Sequence, residues 1–217
     1  MPDDVPGPSN LWLADTLWRL GAVQFGDFTL GRTTVHSPIY INLRLLIAHP
    51  TALARAAHII LQELTTLQAM RNPQVEPFDL VCGVPFGGLL AAEAFSLTSK
   101  VPLIFLHPHT DDLESDVEGM YHPSQTAIIM DDLITGGGSI IVTANRLRDE
   151  GLFVRDAVVL FDRQSGGQAR LGENGIRLVS VLTLEVLLTY LRSSGKIGED
   201  WYRKSMAFYE ANRDASS

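Results

Sequence analysis

The chain has 217 residues, of which 46% are apolar and 19% charged, and it carries a formal net charge of -8. This length and composition can bury one sizeable core without covalent staples, and the single cysteine, Cys82, excludes an internal disulfide. The acidic balance disfavours nonspecific binding to nucleic acid or to an acidic membrane surface, because both are polyanions. In chain order, MPDDVPGPSN is acidic and proline-rich, which reads as a flexible arm over residues 1–10 and not as a secretory leader. Ser9 or Asn10 is suited to cap a helix through Leu20, packed by Leu11, Leu13, Leu17 and Trp18. Pro50 suits the first turn of a helix to about Leu67, and MRNPQVEPFD is a loop into a strand over 80–84. A helix follows over 88–98, then strands over 103–106, 126–130, 156–161 and 177–181. Between the second and third of these strands, a helix over 139–150 stops at Gly151. Thr183 is placed to cap a helix to Ser194, and a last helix covers 199–211. The alternation predicts an α/β fold, with a central parallel sheet flanked by helices on both faces. No apolar run reaches spanning length, so a soluble cytoplasmic protein is expected.

The run Ala127 to Ser139, AIIMDDLITGGGS, concentrates the chemistry. Its apolar half reads as a buried parallel strand, which delivers Asp131 and Asp132 to the sheet edge where open α/β sheets bind ligands. Carboxylates there can accept hydrogen bonds from sugar hydroxyls. Thr135, Gly136, Gly137, Gly138 and Ser139 can then turn backbone N–H groups and two hydroxyls toward an anion at the start of the next helix. A diol site beside a phosphate nest fits a ribose 5-phosphate. There is no GxxxxGK[ST] loop and no GxGxxG followed by an acid on a second strand.

This run resembles the phosphoribosyl pyrophosphate (PRPP) signature of type I phosphoribosyltransferases, and three further segments narrow the resemblance to orotate phosphoribosyltransferases. FGDFTLGRTTVHSPIYINLR, from Phe25 to Arg44, is similar to that family's N-terminal hood and dimer-forming segment. LVCGVPFGGLLAA, from Leu80 to Ala92, is similar to its pyrophosphate loop and following helix, and VVLFDRQSGG, from Val158 to Gly167, to its strand bearing an orotate-contacting arginine. The resemblance implies the type I fold as one domain over 11–217, with a small hood over 11–48 and a core over 49–217. It implies that Asp131 and Asp132 hold the ribose hydroxyls of PRPP, that Thr135 to Ser139 hold its 5-phosphate, and that Gly83, Val84, Pro85 and Phe86 approach the pyrophosphate. Gly136 stands where the family has a serine, threonine or alanine, which loosens the loop. Arg163 becomes the residue for orotate, since a guanidinium can hold a carboxylate bidentately, with backbone from Ser37 to Tyr40 as the other wall. The plain alternative for Arg163 is a surface ion pair with Asp162.

The implied reaction is that of pyrimidine biosynthesis, in which orotate and PRPP give orotidine 5-monophosphate and pyrophosphate. Mg²⁺ would be carried by PRPP's own oxygens, with no metal held by protein side chains. A homodimer is expected, with a mixed dimer as the variant that would bring cations from another subunit. The departure from the family lies after the strand over 103–106, where active members carry an arginine and lysine cluster and a mobile loop with a catalytic lysine. Here the segment reads HPHTDDLESDVEGMYHP, and no lysine or arginine occurs between Lys100 and Arg146. His107, Asp111 and Asp112, with Glu114, Asp116 and Glu118, occupy it instead. A unit charge pair at 4 Å is worth about 4 kcal/mol at an effective dielectric near 20, so acids closing on pyrophosphate would repel it. Losing one stabilising cation can cost roughly 10²–10³-fold in rate, by analogy with deleted oxyanion donors. In the hood, Arg32 is a candidate substitute for the family's lysine, and the pyrophosphate loop has Gly87 and Gly88 after Phe86 and no lysine.

Two functional classes follow: an orotate phosphoribosyltransferase with impaired turnover, or a non-catalytic protein that binds PRPP or a nucleotide and acts in regulation. A third reading takes His107, His109, Asp111 and Asp112, with His122 nearby, as a zinc-type cluster; its plain alternative is a solvated acidic loop. Cys82, in an apolar strand, reads as core and not as nucleophile.

Overall fold

The most apolar stretches of the chain form the middle of one sheet. The computed structural model describes residues 9–30, 34–107 and 116–214. Helix α1 (Ser9–Arg19) starts two residues inside the expected arm. Strands β1 (Val23–Leu30) and β2 (Thr34–Ile41) then form an antiparallel hairpin, the hood proper. A 3-10 turn, Leu43–Ala48, buries Leu43 and Leu46 and leads into α2 (Pro50–Gln68), with proline in the first turn as expected. The rest alternates as β3 (Leu80–Gly83), α3 (Gly87–Ser99), β4 (Leu103–Leu106), β5 (Val117–Glu118), β6 (Ala127–Ile134), α4 (Gly138–Asp149), β7 (Asp156–Asp162), α5 (Gly167–Glu173), β8 (Arg177–Thr183), α6 (Leu184–Ser193) and α7 (Glu199–Asp214).

The six-stranded sheet has the order β5-β4-β3-β6-β7-β8. Its five long members are parallel, but β5 pairs antiparallel with β4 through Phe105 opposite Glu118 and Leu106 opposite Val117. The sheet is therefore mixed, not wholly parallel. The chain leaves β4 and returns beside it, so the 107–116 segment is tied at its base, where the His107 N–H donates to the Asp116 carbonyl at 2.8 Å. Two apolar cores cover the faces: one joins α1, α2, α3 and α6 to the sheet, the other α4 and α5. Every residue of β7 is buried, as a central parallel strand requires. Cys82 is wholly buried in β3, and the burial pushes its thiol up to about 12, which suits a core residue.

Contacts cross the expected boundary between 11–48 and 49–217. Helix α1 packs on α6 and β8, and Asp15, buried on it, accepts from the Tyr190 hydroxyl at 2.9 Å and pairs with Lys196 at 3.2 Å. The hairpin is fixed by Phe25, whose ring lies 6.4 Å from Trp18 and 5.6 Å from Trp201. The α6 start is capped as predicted, with the Thr183 hydroxyl accepting from the Val186 N–H at 3.3 Å.

On the opposite sheet edge, Asp156 is 4% exposed and accepts from Arg177 Nε at 2.7 Å, from its Nη2 at 3.0 Å and from the Glu76 N–H at 3.0 Å. It fastens the 69–79 loop to the start of β7 and β8. Asp156→Ala leaves that N–H without its acceptor and Arg177 with only a 3.6 Å contact to Glu76, and the expected loss is about 2–4 kcal/mol of stability, read as a lowered urea midpoint at unchanged m-value.

Candidate functional site

Between β3 and β6 the chain direction of the windings reverses, because β3 leads outward to β4 and β6 leads outward to β7. Such a switch point opens a crevice at the carboxyl ends of the strands. Gly83 is level with Met130 and the Val84 N–H donates to the Met130 carbonyl at 2.9 Å, so the loop after β3 lies directly against the first acid of the signature. A cis peptide bond joins Pro85 and Phe86.

The strand that carries the acids is longer than expected. β6 runs to Ile134 and pairs with β7 through Asp131 opposite Val159 and Leu133 opposite Phe161. Asp131 and Asp132 are thus held within the ladder and not just past its end, which fixes their direction more firmly than a loop would. The Asp131 carboxylate accepts from the Asp132 N–H at 2.8 Å. Burial, and then the adjacent Asp132 charge, push the Asp131 carboxyl up to about 8, while the charge of Arg44 on the 3-10 turn opposes the rise. Among the described residues neither aspartate has an ion-pair partner.

The start of α3 presses on these carboxylates. A side chain at Gly88 would come 2.6 Å from the Asp131 Cα, and one at Gly87 would strike the Asp132 carboxylate. Glycine is therefore required at Gly88 by close backbone approach. After β6, Gly137 adopts φ +73° and caps α4, offering no side-chain oxygen to the first-turn N–H groups. Those groups remain directed at a small cavity of about 50 Å³ lined by Asp131, Thr135, Gly137, Gly138 and Ser139. Four of the five predicted nest residues and the first acid are brought together there, while Gly136 and Asp132 do not line the cavity. The lining can accept from hydroxyls on one side and donate to an anion on the other.

Arg163 follows β7, and its N–H donates to the Ile134 carbonyl at 3.1 Å, which seats it beside the nest. The surface ion pair does not form. Asp162 is 2% exposed and instead accepts from the Gln164 N–H at 2.6 Å, while Gln164 takes φ +54° and its amide oxygen accepts from the Glu185 N–H at 3.0 Å. This turn sends Arg163 a different way from Asp162. Arg163 Nε is buried with no hydrogen-bond partner among the described residues, and desolvation holds the guanidinium below its ordinary pKa. A buried donor without an acceptor marks a place for an anionic or carbonyl group to complete.

Tyr40 is half-buried in β2 with its ring 5.6 Å from Phe28, and no hydrogen bond or ring contact among the described residues joins it to Arg163 or β6. Arg32 lies outside the described residues, as do His109, Asp111, Asp112 and Glu114. Of the acidic segment, Asp116 is engaged by Arg146 from α4 at 2.9 Å. No group of three or more His, Cys, Asp and Glu side chains placed to hold a metal occurs among the described residues. Sequence reasoning did not anticipate Arg44, or Arg170 of α5, near the site; Arg44 closes the hood segment without a role assigned to it and Arg170 lies in no motif, and only the fold brings them there.

No protein-family model matches the chain. It is 38% identical over 190 residues to an orotate phosphoribosyltransferase of Chlamydia caviae, covering 84% of this chain and 86% of that one. The chain belongs to the orotate phosphoribosyltransferase family. A uridine 5'-monophosphate synthase of Bos taurus is 35% identical over 92% of this chain, which spans 40% of that longer protein. Among solved structures, the orotate phosphoribosyltransferase from Aeropyrum pernix superposes with a TM-score of 0.68 at 33% identity, covering 82% of this chain and 98% of that one. The Leishmania donovani UMP synthase gives 0.80 at 31% identity over 93% of this chain and 42% of its own. The family's α/β fold with helices on both faces of the sheet is thus the fold of this member too.

Proposed function

We propose that this family member binds PRPP and orotate at the β3/β6 switch point and transfers the phosphoribosyl group to orotate slowly, its turnover limited by the acidic segment that stands in place of the family's basic loop. The observation that carries the reading is the gathering of Asp131 with Thr135, Gly137, Gly138 and Ser139 around one cavity, with Arg163 tied to the same strand end by its backbone N–H to the Ile134 carbonyl. Asp131 and Asp132 would accept from the ribose hydroxyls, the nest would hold the 5-phosphate, and Arg163 would find in the orotate carboxylate the acceptor that its Nε lacks. Two carboxylates do not complete the six oxygens that Mg²⁺ prefers, so the cation would arrive on the diphosphate oxygens and waters of PRPP. A slow enzyme is favoured over a purely regulatory binder because the acid pair and the phosphate-nest residues are retained, whereas the family's basic segment is the part that the sequence lacks.

A homodimer is part of the proposal. Phe86 is 71% exposed, and Leu90 and Leu97 continue its apolar stripe along α3, within and beside the segment the family uses for assembly. A cytoplasmic location without nucleic-acid partners is consistent with the charge of -8, and no helix among the described residues is long and apolar enough to cross a membrane.

The test is calorimetric titration of the full chain with PRPP and Mg²⁺, followed by orotate with its absorbance recorded. Binding with slow loss of orotate supports the proposal. Binding without turnover supports the regulatory reading instead, and no binding of PRPP refutes both. Arg163→Leu is expected to weaken orotate about 100-fold while leaving PRPP affinity within about twofold, because a charge-assisted bidentate contact is lost at one ligand only. Equal weakening of both ligands in that titration would count against the assignment of Arg163.

A further inference from the structure

By the resemblance, Gly136 stands in place of a serine, threonine or alanine, and the fold brings an arginine to it. Arg170 of α5 donates from Nη1 to the Gly136 carbonyl at 3.2 Å, and a Cβ built on Gly136 would lie 3.8 Å from that same nitrogen. α5 can come this close because its first residue is glycine: a side chain at Gly167 would strike the Thr135 carbonyl. Arg170 is exposed, and among the described residues no carboxylate pairs with it. A guanidinium has five N–H donors, and the hydrogen bond to Gly136 engages one side of the fork. A positive charge therefore stands against the loop whose residues Thr135, Gly137, Gly138 and Ser139 line the cavity, in which the other donors are uncharged backbone and hydroxyl groups.

We propose that Arg170 is a phosphate-binding residue of this chain, pinning Gly136 with one nitrogen and holding the 5-phosphate of the ligand with the others. The inference rests on the PRPP reading above and deepens it by naming a cation for the monoester, at a position outside the signature run. Charge replaces loop stiffness. A monoester carrying close to two negative charges gains from the guanidinium, whereas a neutral sugar or a base would not.

The experiment titrates the full chain with two probes, ribose 5-phosphate and Mg²⁺-pyrophosphate, for the wild type, Arg170→Gln and Arg170→Lys. Arg170→Gln is expected to weaken ribose 5-phosphate about tenfold or more and to leave Mg²⁺-pyrophosphate unchanged. Arg170→Lys, which keeps the charge and loses the fork, is expected to recover part of the loss, and the wild-type affinity should fall more steeply with salt than that of Arg170→Gln. Unchanged ribose 5-phosphate binding in Arg170→Gln overturns the proposal, and so does an equal loss for both probes, which would mean a general disturbance of the crevice. A wild type that binds PRPP normally while Arg170→Gln matches it defeats this inference alone; a wild type that binds neither PRPP nor ribose 5-phosphate defeats the function reading with it.

Discussion

Asp131→Asn is expected to stabilise the ligand-free protein at alkaline pH while weakening PRPP binding about 100-fold. The carboxyl is held up to about 8 by burial and by Asp132, against a value of 3.8 in the unfolded chain. The folded state therefore binds this proton more tightly than the unfolded state. Its contribution to stability is fully present below about pH 4 and is lost as pH rises through about 8, at a slope of at most about 1.4 kcal/mol per pH unit. Asparagine has no proton to lose, so the stability gap between variant and wild type should widen between those two values and then level off. Urea unfolding at a series of pH values reads the gap directly. A gap that stays constant with pH would show that Asp131 does not titrate in this range. On the proposed function, PRPP should bind the wild type better as the carboxylate forms, because only the ionised oxygen pair accepts from both ribose hydroxyls.

The second large effect concerns the acidic segment. Exchanging 107–116 for the family's arginine and lysine cluster is expected to raise turnover by roughly 10²–10³-fold, the value of a restored transition-state donor, with PRPP affinity changed far less. Steady-state rates on orotate at saturating PRPP check it. An exchange that improves KM and leaves kcat untouched would assign the segment to binding and remove it as the cause of slow chemistry. Asp116 should be retained in a companion exchange, since its bond to Arg146 ties the base of the segment to α4. Better turnover only when Asp116 is kept would separate the charge of the loop from its anchoring.

Much of this architecture was legible in the chain because each parallel strand is an apolar run between turn residues. Strand β4 and the caps at Pro50 and Thr183 fall where periodicity and capping chemistry put them. The acid pair misled the reading of β6: two carboxylates look like a strand end, yet pairing to β7 carries the ladder on to Ile134, an outcome decided by a neighbour some thirty residues away. β5 has two residues and no periodicity to detect, so the antiparallel edge was missed. α5 was missed because GQARLGE is short and rich in glycine; burial of Gly167 and Leu171 against the nest is what makes it a helix. In the site, the nest and its acids were legible from residue type and spacing. Arg44 and Arg170 were not, since nothing local in a single sequence says that an exposed arginine will lend its charge to a carboxylate, or a hydrogen bond to a carbonyl, on another element.

The contact between Gly87 and Asp132 bears on how such a chain can change. The position after Phe86 is the most direct place to return a cation to the pyrophosphate loop, yet any side chain there meets the Asp132 carboxylate first. A lysine at this point would displace one arm of the proposed ribose site in the act of adding a charge. A single substitution at this position therefore trades one group of the proposed site for another, and a cation gained without that trade has to come from the segment beyond β4 or from a second subunit.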